Sequence, residues 1–139
     1  MGRSLLVVRS TVALVLLGAC VNDATSPNND RLGRYTLRTI NGSVVPALVF
    51  ESTSARLEFL SGALRLNRDL SYTDSTDLMV TPLKGGDIRR VVDVSAGTYR
   101  FAGDTVFFDS TRGEHYFMVF QIAGSLTQEL AGAVLIYRK

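Results

Sequence analysis

The chain has little of what cross-linked or metal-binding domains use. Its 139 residues include one cysteine, one histidine and no tryptophan. One cysteine cannot form a disulfide within the chain, so a hydrophobic core has to stabilise the domain. A single histidine excludes metal sites built from clustered histidines. We therefore predict no metal site and no cofactor.

A long apolar run is also missing. A transmembrane helix needs about 20 consecutive apolar residues, and Arg9 interrupts the N-terminal apolar segment well before that length. Arg3 and Arg9 form a positive n-region, residues 10–17 form a short apolar h-region, and two small residues follow. This order predicts a helical secretory signal peptide over residues 1–19.

The rest of the chain has no excess of one charge. Without Arg3 and Arg9, 13 Lys and Arg residues are matched by 13 Asp and Glu residues. There is no basic cluster beyond Arg89-Arg90. Because nucleic-acid binding needs a basic patch, we predict no nucleic-acid partner.

The position of the cysteine indicates an anchor. Leu17-Gly18-Ala19-Cys20 resembles the lipobox of bacterial lipoproteins. In that family the cysteine thiol receives a diacylglyceryl group, and the signal peptide is then removed just before it. The resemblance implies lipidation of Cys20 and a place in the cell envelope, lipid-anchored outside the cytoplasm. The outer membrane is favoured because Val21, and not Asp, comes next. The alternative is an incidental cysteine.

After the lipobox the composition changes twice. Residues 20–32 are rich in Asn, Asp, Ser and Thr without apolar periodicity, which predicts a flexible tether. From residue 33 onwards apolar and polar residues alternate, as they do in half-buried strands.

Strands of this kind recur about every ten residues, and no amphipathic helix is evident. We predict an all-β domain over residues 33–139: a single antiparallel up-and-down meander of about eight strands, forming a closed or partly open barrel. Residues 44–54 fit either a short helix or a strand broken by Pro46. Ser61-Gly62 and Ala96-Gly97 are interpreted as breaks between strands.

Two short motifs at the ends of this domain resemble the lipocalin and calycin arrangement. Gly33-Arg34-Tyr35 opens the first strand and Tyr137-Arg138 closes the last. In that family a glycine-x-tryptophan motif packs beneath an arginine near the C-terminus; here Tyr35 stands in place of the tryptophan. The segments YTLRTINGSVVP, GALRLNRDLSYT and GTYRFAGDTVFF are also similar to small lipocalin-like lipoproteins. The resemblance implies the fold and the capture of a small apolar ligand or lipid, and no catalytic chemistry.

Seven aromatic residues occupy inward positions of the predicted strands. They either fill the barrel or line a ligand pocket in it. These candidate ligand-binding residues are Tyr35, Tyr72, Tyr99, Phe101, Phe108, Tyr116 and Phe120.

Two strands near the C-terminus are apolar on both faces. One face carries Tyr116, Met118 and Ile136. The opposite face needs a cover, which a helix over residues 44–54, a protein partner or the membrane surface could supply. We predict a partner surface formed by Phe117, Val119, Leu135 and Tyr137.

No motif predicts catalysis. A triad could be drawn from His115, Asp109 and Ser110, but no G-x-S-x-G elbow accompanies it. Residues 72–77 collect two carboxylates and three aliphatic hydroxyls in a spacing that matches no calcium loop, so a solvated strand face or loop is expected. We predict a membrane-tethered binding module, not an enzyme. The alternative is an envelope structural or protein-interaction lipoprotein without an internal ligand.

Overall fold

The computed structural model describes residues 29–122 and 124–139. The predicted signal peptide, Cys20 and most of the predicted tether lie outside the described residues. The described chain begins with a 3₁₀ helix, Asn29–Arg31, and continues as strands. The strands are β1 (Gly33–Ile40), β2 (Ser43–Val44), β3 (Ala47–Glu51), β4 (Ala55–Leu66), β5 (Ser71–Pro82), β6 (Arg89–Ala102), β7 (Thr105–Ser110), β8 (His115–Gln121), β9 (Ser125–Leu130) and β10 (Ala133–Arg138).

Eight of these strands form a closed antiparallel barrel, as predicted. Strands β4 to β10 pair in sequence order, and β1 pairs with β10 on one side and with β4 on the other. The β1–β4 ladder covers only Gly33–Thr36 against Ala63–Leu66. Beyond it β2 pairs with β1 and β3 pairs with β4, so these two short strands fill the remaining seam.

The ambiguous range 44–54 is therefore a broken strand and not a helix. Pro46 lies between β2 and β3. It has no backbone N–H to donate to a ladder, which explains why pairing stops on one side of it and resumes on the other.

The two breaks predicted inside the domain are wrong. Ser61-Gly62 lies within β4, where the register shifts between Phe59 and Ser61. Ala96-Gly97 lies within β6. A Cβ atom on Gly97 would stand 2.0 Å from the carbonyl oxygen of Asp109. This glycine therefore permits a close approach of two strands and does not make a turn.

The barrel wall is taller on one side than on the other. Strands β4 and β5 have 12 residues each and β6 has 14, whereas β7 to β10 have six or seven. As a result the ends of β3 to β6 extend past the rim formed by the short strands. We call this part the extended sheet: residues 47–51, 55–58, 78–82 and 89–92.

The barrel interior is filled by side chains along most of its height. Five of the seven predicted inward aromatics are buried, and Phe101 and Tyr116 pack partly buried against them. Leu135 and Tyr137 also point inward and are each 1% exposed. The predicted partner surface is wrong for these two residues, because the alternation of β10 places Ile136 on the outside. Phe117 (57% exposed) and Val119 do lie outside.

One end of the barrel is closed by the 3₁₀ helix. The Arg31 guanidinium lies 4.7 Å from the ring centre of Phe120 and donates to the carbonyl oxygen of Gly103 at 2.7 Å. The Tyr35 hydroxyl donates to the carbonyl oxygen of Arg31 at 2.8 Å. Residues 29–32, which the sequence assigned to the tether, are thus part of the folded domain.

The C-terminal cation above Tyr35 is Lys139 and not Arg138. The Lys139 ammonium lies 5.5 Å from the centre of the Tyr35 ring and donates to the carbonyl oxygen of Asp30. Arg138 is exposed on the outer face of β10. Strand alternation explains the exchange, since Tyr137 and Lys139 share one side of the strand.

Within the described residues, no helix has the length and apolarity needed to cross a membrane.

Candidate functional site

The end of the barrel opposite the 3₁₀ helix contains a cavity of about 430 Å³. Its apolar lining comes from strands on both sides of β1. Leu57, Phe59 and Leu78 contribute from β4 and β5, and Leu130 and Leu135 contribute from β9 and β10. A cavity of this size and lining is typical of sites for small apolar molecules.

Stacked aromatic rings form the floor of this cavity. Tyr116 lines the cavity and stacks on Phe108, with ring centres 4.7 Å apart. Tyr72 packs edge-on against Phe108 at 4.8 Å. The Tyr72 hydroxyl is hydrogen-bonded to Ser95 at 3.2 Å, and Ser95 donates to Ser110 at 3.2 Å. The floor is therefore closed and its hydroxyl groups are satisfied.

Only one of the seven predicted ligand-binding aromatics lines the cavity, namely Tyr116. Tyr72 and Phe108 support the floor from below. The other four form the filled half of the barrel towards the closed end: Tyr35, Tyr99, Phe101 and Phe120. Burial raises the pKa of the Tyr35 and Tyr99 hydroxyls to about 12, so both stay protonated.

Asp74 is the polar feature that sets this cavity apart. It lines the cavity from β5, and its Oδ2 accepts a hydrogen bond from the Tyr116 hydroxyl at 3.3 Å. Its Oδ1 is buried and has no hydrogen-bond partner among the described residues. Burial and, to a smaller extent, the nearby charge of Asp93 raise the pKa of Asp74 to about 6. Burial, with the Asp74 charge beside it, also raises the pKa of Tyr116.

Charged residues surround the mouth above Asp74. Arg112 bonds to Asp93 at 2.9 Å and reaches Glu114 at 3.5 Å. The hydrogen bond to Asp93 raises the pKa of Arg112. The guanidinium is thus engaged by two rim carboxylates, and Asp74 receives no hydrogen bond from it.

The extended sheet continues the apolar wall beyond the rim. The strand register places Phe50, Val80 and Val91 on the same face as Phe59 and Leu78. Phe50 is 56% exposed and Val91 is 42% exposed. An apolar ligand that projects from the cavity can therefore remain in contact with protein.

The residues of the hypothetical triad do not assemble. His115 Nδ1 lies 2.7 Å from Asp109 Oδ1, and both side chains are exposed outside the barrel. Ser110 points inward and is buried, where its hydroxyl accepts from Ser95 and from the backbone N–H of Arg112. The barrel wall thus separates the hydroxyl from the imidazole.

Residues 72–77 do not form one solvated face as predicted. They alternate along β5, so Tyr72, Asp74 and Thr76 point inward while Asp77 points outward and binds Arg90. No group of three potential metal-binding His, Cys, Asp or Glu side chains occurs among the described residues.

A second cavity of about 600 Å³ lies at the closed end, between the 3₁₀ helix and the β8–β9 turn. The lining of this second cavity includes the ion pair of Arg31 and Asp104. It also includes Gly124, which follows residue 123, a residue outside the described ranges. Although larger, this cavity has a lining in which charged residues are mixed with the apolar side chains of Val119, Phe120 and Ile122, and its ion pair already satisfies the charges of Arg31 and Asp104. The open-end cavity is therefore the better candidate site.

Sequence reasoning missed Asp74 as a site residue. A signal was present, because Asp74 follows Tyr72 by two residues and shares its inward position in the alternation. A carboxylate at an inward position of a strand needs a partner or a function.

Comparisons with protein-family models, with curated proteins and with solved structures found no match to this chain.

Proposed function

We propose that this chain is a membrane-tethered binding module outside the cytoplasm that holds a small apolar ligand in the open end of its barrel. The observation that carries the proposal is the difference between the two ends. The 3₁₀ helix and Arg31 close one end, and a cavity with apolar walls occupies the other. A barrel of eight strands has room for one small ligand where side chains do not fill it.

The tether supports the same proposal. The lipobox motif that ends at Cys20 accounts for the lone cysteine, and two or more acyl chains hold a protein stably at a bilayer. The eight-stranded meander agrees with the resemblance to lipocalin-like lipoproteins, which remains part of this proposal. The main departure from that family is that Tyr35 and Lys139 stand where the family has tryptophan and arginine.

Ligand capture is tested with the neutral apolar fluorophore N-phenyl-1-naphthylamine. We expect saturable binding to the purified chain and a loss of roughly tenfold or more in affinity for Leu78→Arg, which places a charge in the apolar wall. Val92→Arg is the matched control, because Val92 lies on the outer face of the adjacent strand and is 62% exposed. Absence of saturable binding, or equal losses in both variants, would count against the proposal.

The anchor is tested separately. We expect Cys20→Ala to accumulate as an unprocessed precursor, and mass spectrometry of the mature wild type to find an acylated cysteine as its first residue. Normal maturation of Cys20→Ala would contradict the lipoprotein assignment without affecting the ligand proposal.

A second candidate function, protein contact in the envelope, rests on the outer surface of β7 and β8. Phe117 is exposed there beside Phe107, with ring centres 6.2 Å apart. If this surface binds a second copy of the chain, sedimentation will show an oligomer that Phe117→Ser converts to a monomer. A monomeric wild type would remove this candidate. Tyr137 is no longer suitable for such a test, since it is buried in the core.

A further inference from the structure

We propose that the cavity selects ligands that carry a protonated amine on an apolar body, with Asp74 binding the amine. This inference rests on the proposed function, because it specifies which apolar molecule the cavity takes. It starts from a carboxylate that lines a cavity. The Oδ1 atom of this carboxylate is shielded from solvent and has no hydrogen-bond partner in the described chain.

The charges around the cavity favour a cation. Three carboxylates, those of Asp74, Asp93 and Glu114, line the cavity together with one guanidinium, that of Arg112, and with the imidazole of His115 at the rim, which is bonded to Asp109. Arg112 is held by the two carboxylates at the rim. Asp74 lies deeper in the cavity than these rim residues, and it accepts a hydrogen bond from the neutral hydroxyl of Tyr116. An ionised carboxylate in a partly desolvated site is stabilised strongly by a cation that also donates hydrogen bonds.

The same arrangement disfavours other amphiphiles. A fatty acid would bring its negatively charged carboxylate towards the carboxylates of Asp74 and Asp93. Like charges that share one site repel each other. A neutral alcohol could donate one hydrogen bond to Asp74 but would leave its charge uncompensated. An alkylammonium supplies three donors and a positive charge, and its apolar chain fits against Leu57, Phe59 and Leu78.

The protonation state of Asp74 gives this selectivity a pH dependence. The groups around it are Tyr116 on β8, Asp93 on β6, Tyr137 on β10, Arg112 and Glu114 in the loop between β7 and β8, and His115 at the rim, at the start of β8. Both tyrosines have raised pKa values and stay neutral, and Arg112 stays charged. Because the pKa of Asp74 is about 6, Asp74 is ionised at pH 8 and mostly protonated at pH 5.

The test compares octylamine, octanol and octanoate as competitors of bound N-phenyl-1-naphthylamine on the full chain. At pH 8 we expect octylamine to bind roughly tenfold or more tightly than octanol, as a hydrogen bond to a charged group predicts. Lowering the pH to 5 should weaken octylamine binding about tenfold through protonation of Asp74. Asp74→Asn should remove both effects, while Asp87→Asn, the same change in an exposed loop, should leave them unchanged.

Each outcome decides one point. Equal binding of octylamine and octanol would overturn the amine proposal and leave the apolar pocket intact, as would tighter binding of octanoate. If no competitor displaces the fluorophore and the fluorophore itself does not bind, the proposed function fails as well. If Asp74→Asn does not fold, the pH dependence of octylamine binding to the wild type still decides the question, and a flat profile would refute the role of Asp74.

Discussion

The effect of Asp74 on stability can be measured without any ligand. Asp74→Asn keeps the shape of the side chain and removes its ionisable group. Burial raises the pKa of Asp74 from 3.8 to about 6 in the folded protein, so the folded state binds this proton more tightly than the unfolded chain does. The resulting stabilisation is complete below about pH 3.8, decreases as the pH rises, and is lost above about pH 6.

The expected size of the effect follows from this pKa. The interval between 3.8 and about 6 corresponds to about 3 kcal/mol of unfolding free energy, since one pH unit is equivalent to about 1.4 kcal/mol. Relative to the wild type, Asp74→Asn should therefore gain up to about 3 kcal/mol between pH 4 and pH 7. Hydrogen bonds made by the asparagine itself do not change with pH, so they cancel from this gain.

Urea unfolding followed by far-ultraviolet circular dichroism at a series of pH values measures the difference directly. Asp87→Asn serves as the control, and its difference from the wild type should stay flat because Asp87 is exposed. A constant difference between Asp74→Asn and the wild type across this range would show that Asp74 titrates as it does in the unfolded chain. The inferred role of Asp74 in charge recognition would then lose its physical basis.

Three further variants test the barrel by the same urea assay. Gly97→Ala should destabilise the fold by about 3 kcal/mol or more, because its Cβ would stand 2.0 Å from the Asp109 carbonyl oxygen. Gly42→Ala should cost only about 1 kcal/mol, because open space surrounds its Cβ and the strain comes from its positive φ of 80° alone. Equal losses would contradict the close approach. Leu64→Ala should cost about 2–5 kcal/mol, since Leu64 is fully buried, and a loss below about 1 kcal/mol would show that the core is not packed as described. Arg31→Ala should cost about 1–2 kcal/mol by removing the cation–π and hydrogen-bond contacts that close the barrel, and an unchanged midpoint would show that these contacts do not stabilise the closed end.

Period-two alternation was sufficient to predict the barrel, because inward and outward positions differ in polarity along most strands. The same reasoning failed where a glycine, or a strand that is apolar on both faces, removed the difference in polarity between inward and outward positions. The sequence predicts a break at Gly97, but this glycine lies within β6. Its missing side chain leaves room for the backbone of Asp109 in β7, which is 12 residues away in the sequence. In β10, Leu135, Ile136 and Tyr137 are all apolar, so sequence alone could not place Leu135 and Tyr137 inside.

The cavity was less predictable than the fold. The relative lengths of the strands decide which inward residues line the cavity and which fill the core. Strands β4 to β6 are longer than β7 to β10, and sequence analysis had divided β4 and β6 into shorter pieces. Asp74 was assigned to a polar segment because its neighbours Thr73 and Ser75 are polar. The register of β5 shows that these neighbours point the other way, as the alternation with Tyr72 also indicates.

The two ends of the barrel also constrain how a ligand reaches the cavity. Asn29 lies at the closed end, so the chain that precedes it joins the barrel on the side away from the cavity. Eight residues lie between Cys20 and Asn29, and the chain that joins these two positions spans at most about 30 Å. If Cys20 is lipidated, as proposed, the anchor is attached at the end of the barrel away from the cavity, and such a tether leaves the cavity free to face the aqueous space. A cavity that faces water in this way is accessible to an amphiphile with a charged group, because the charge keeps such a molecule in solution until its apolar body is buried.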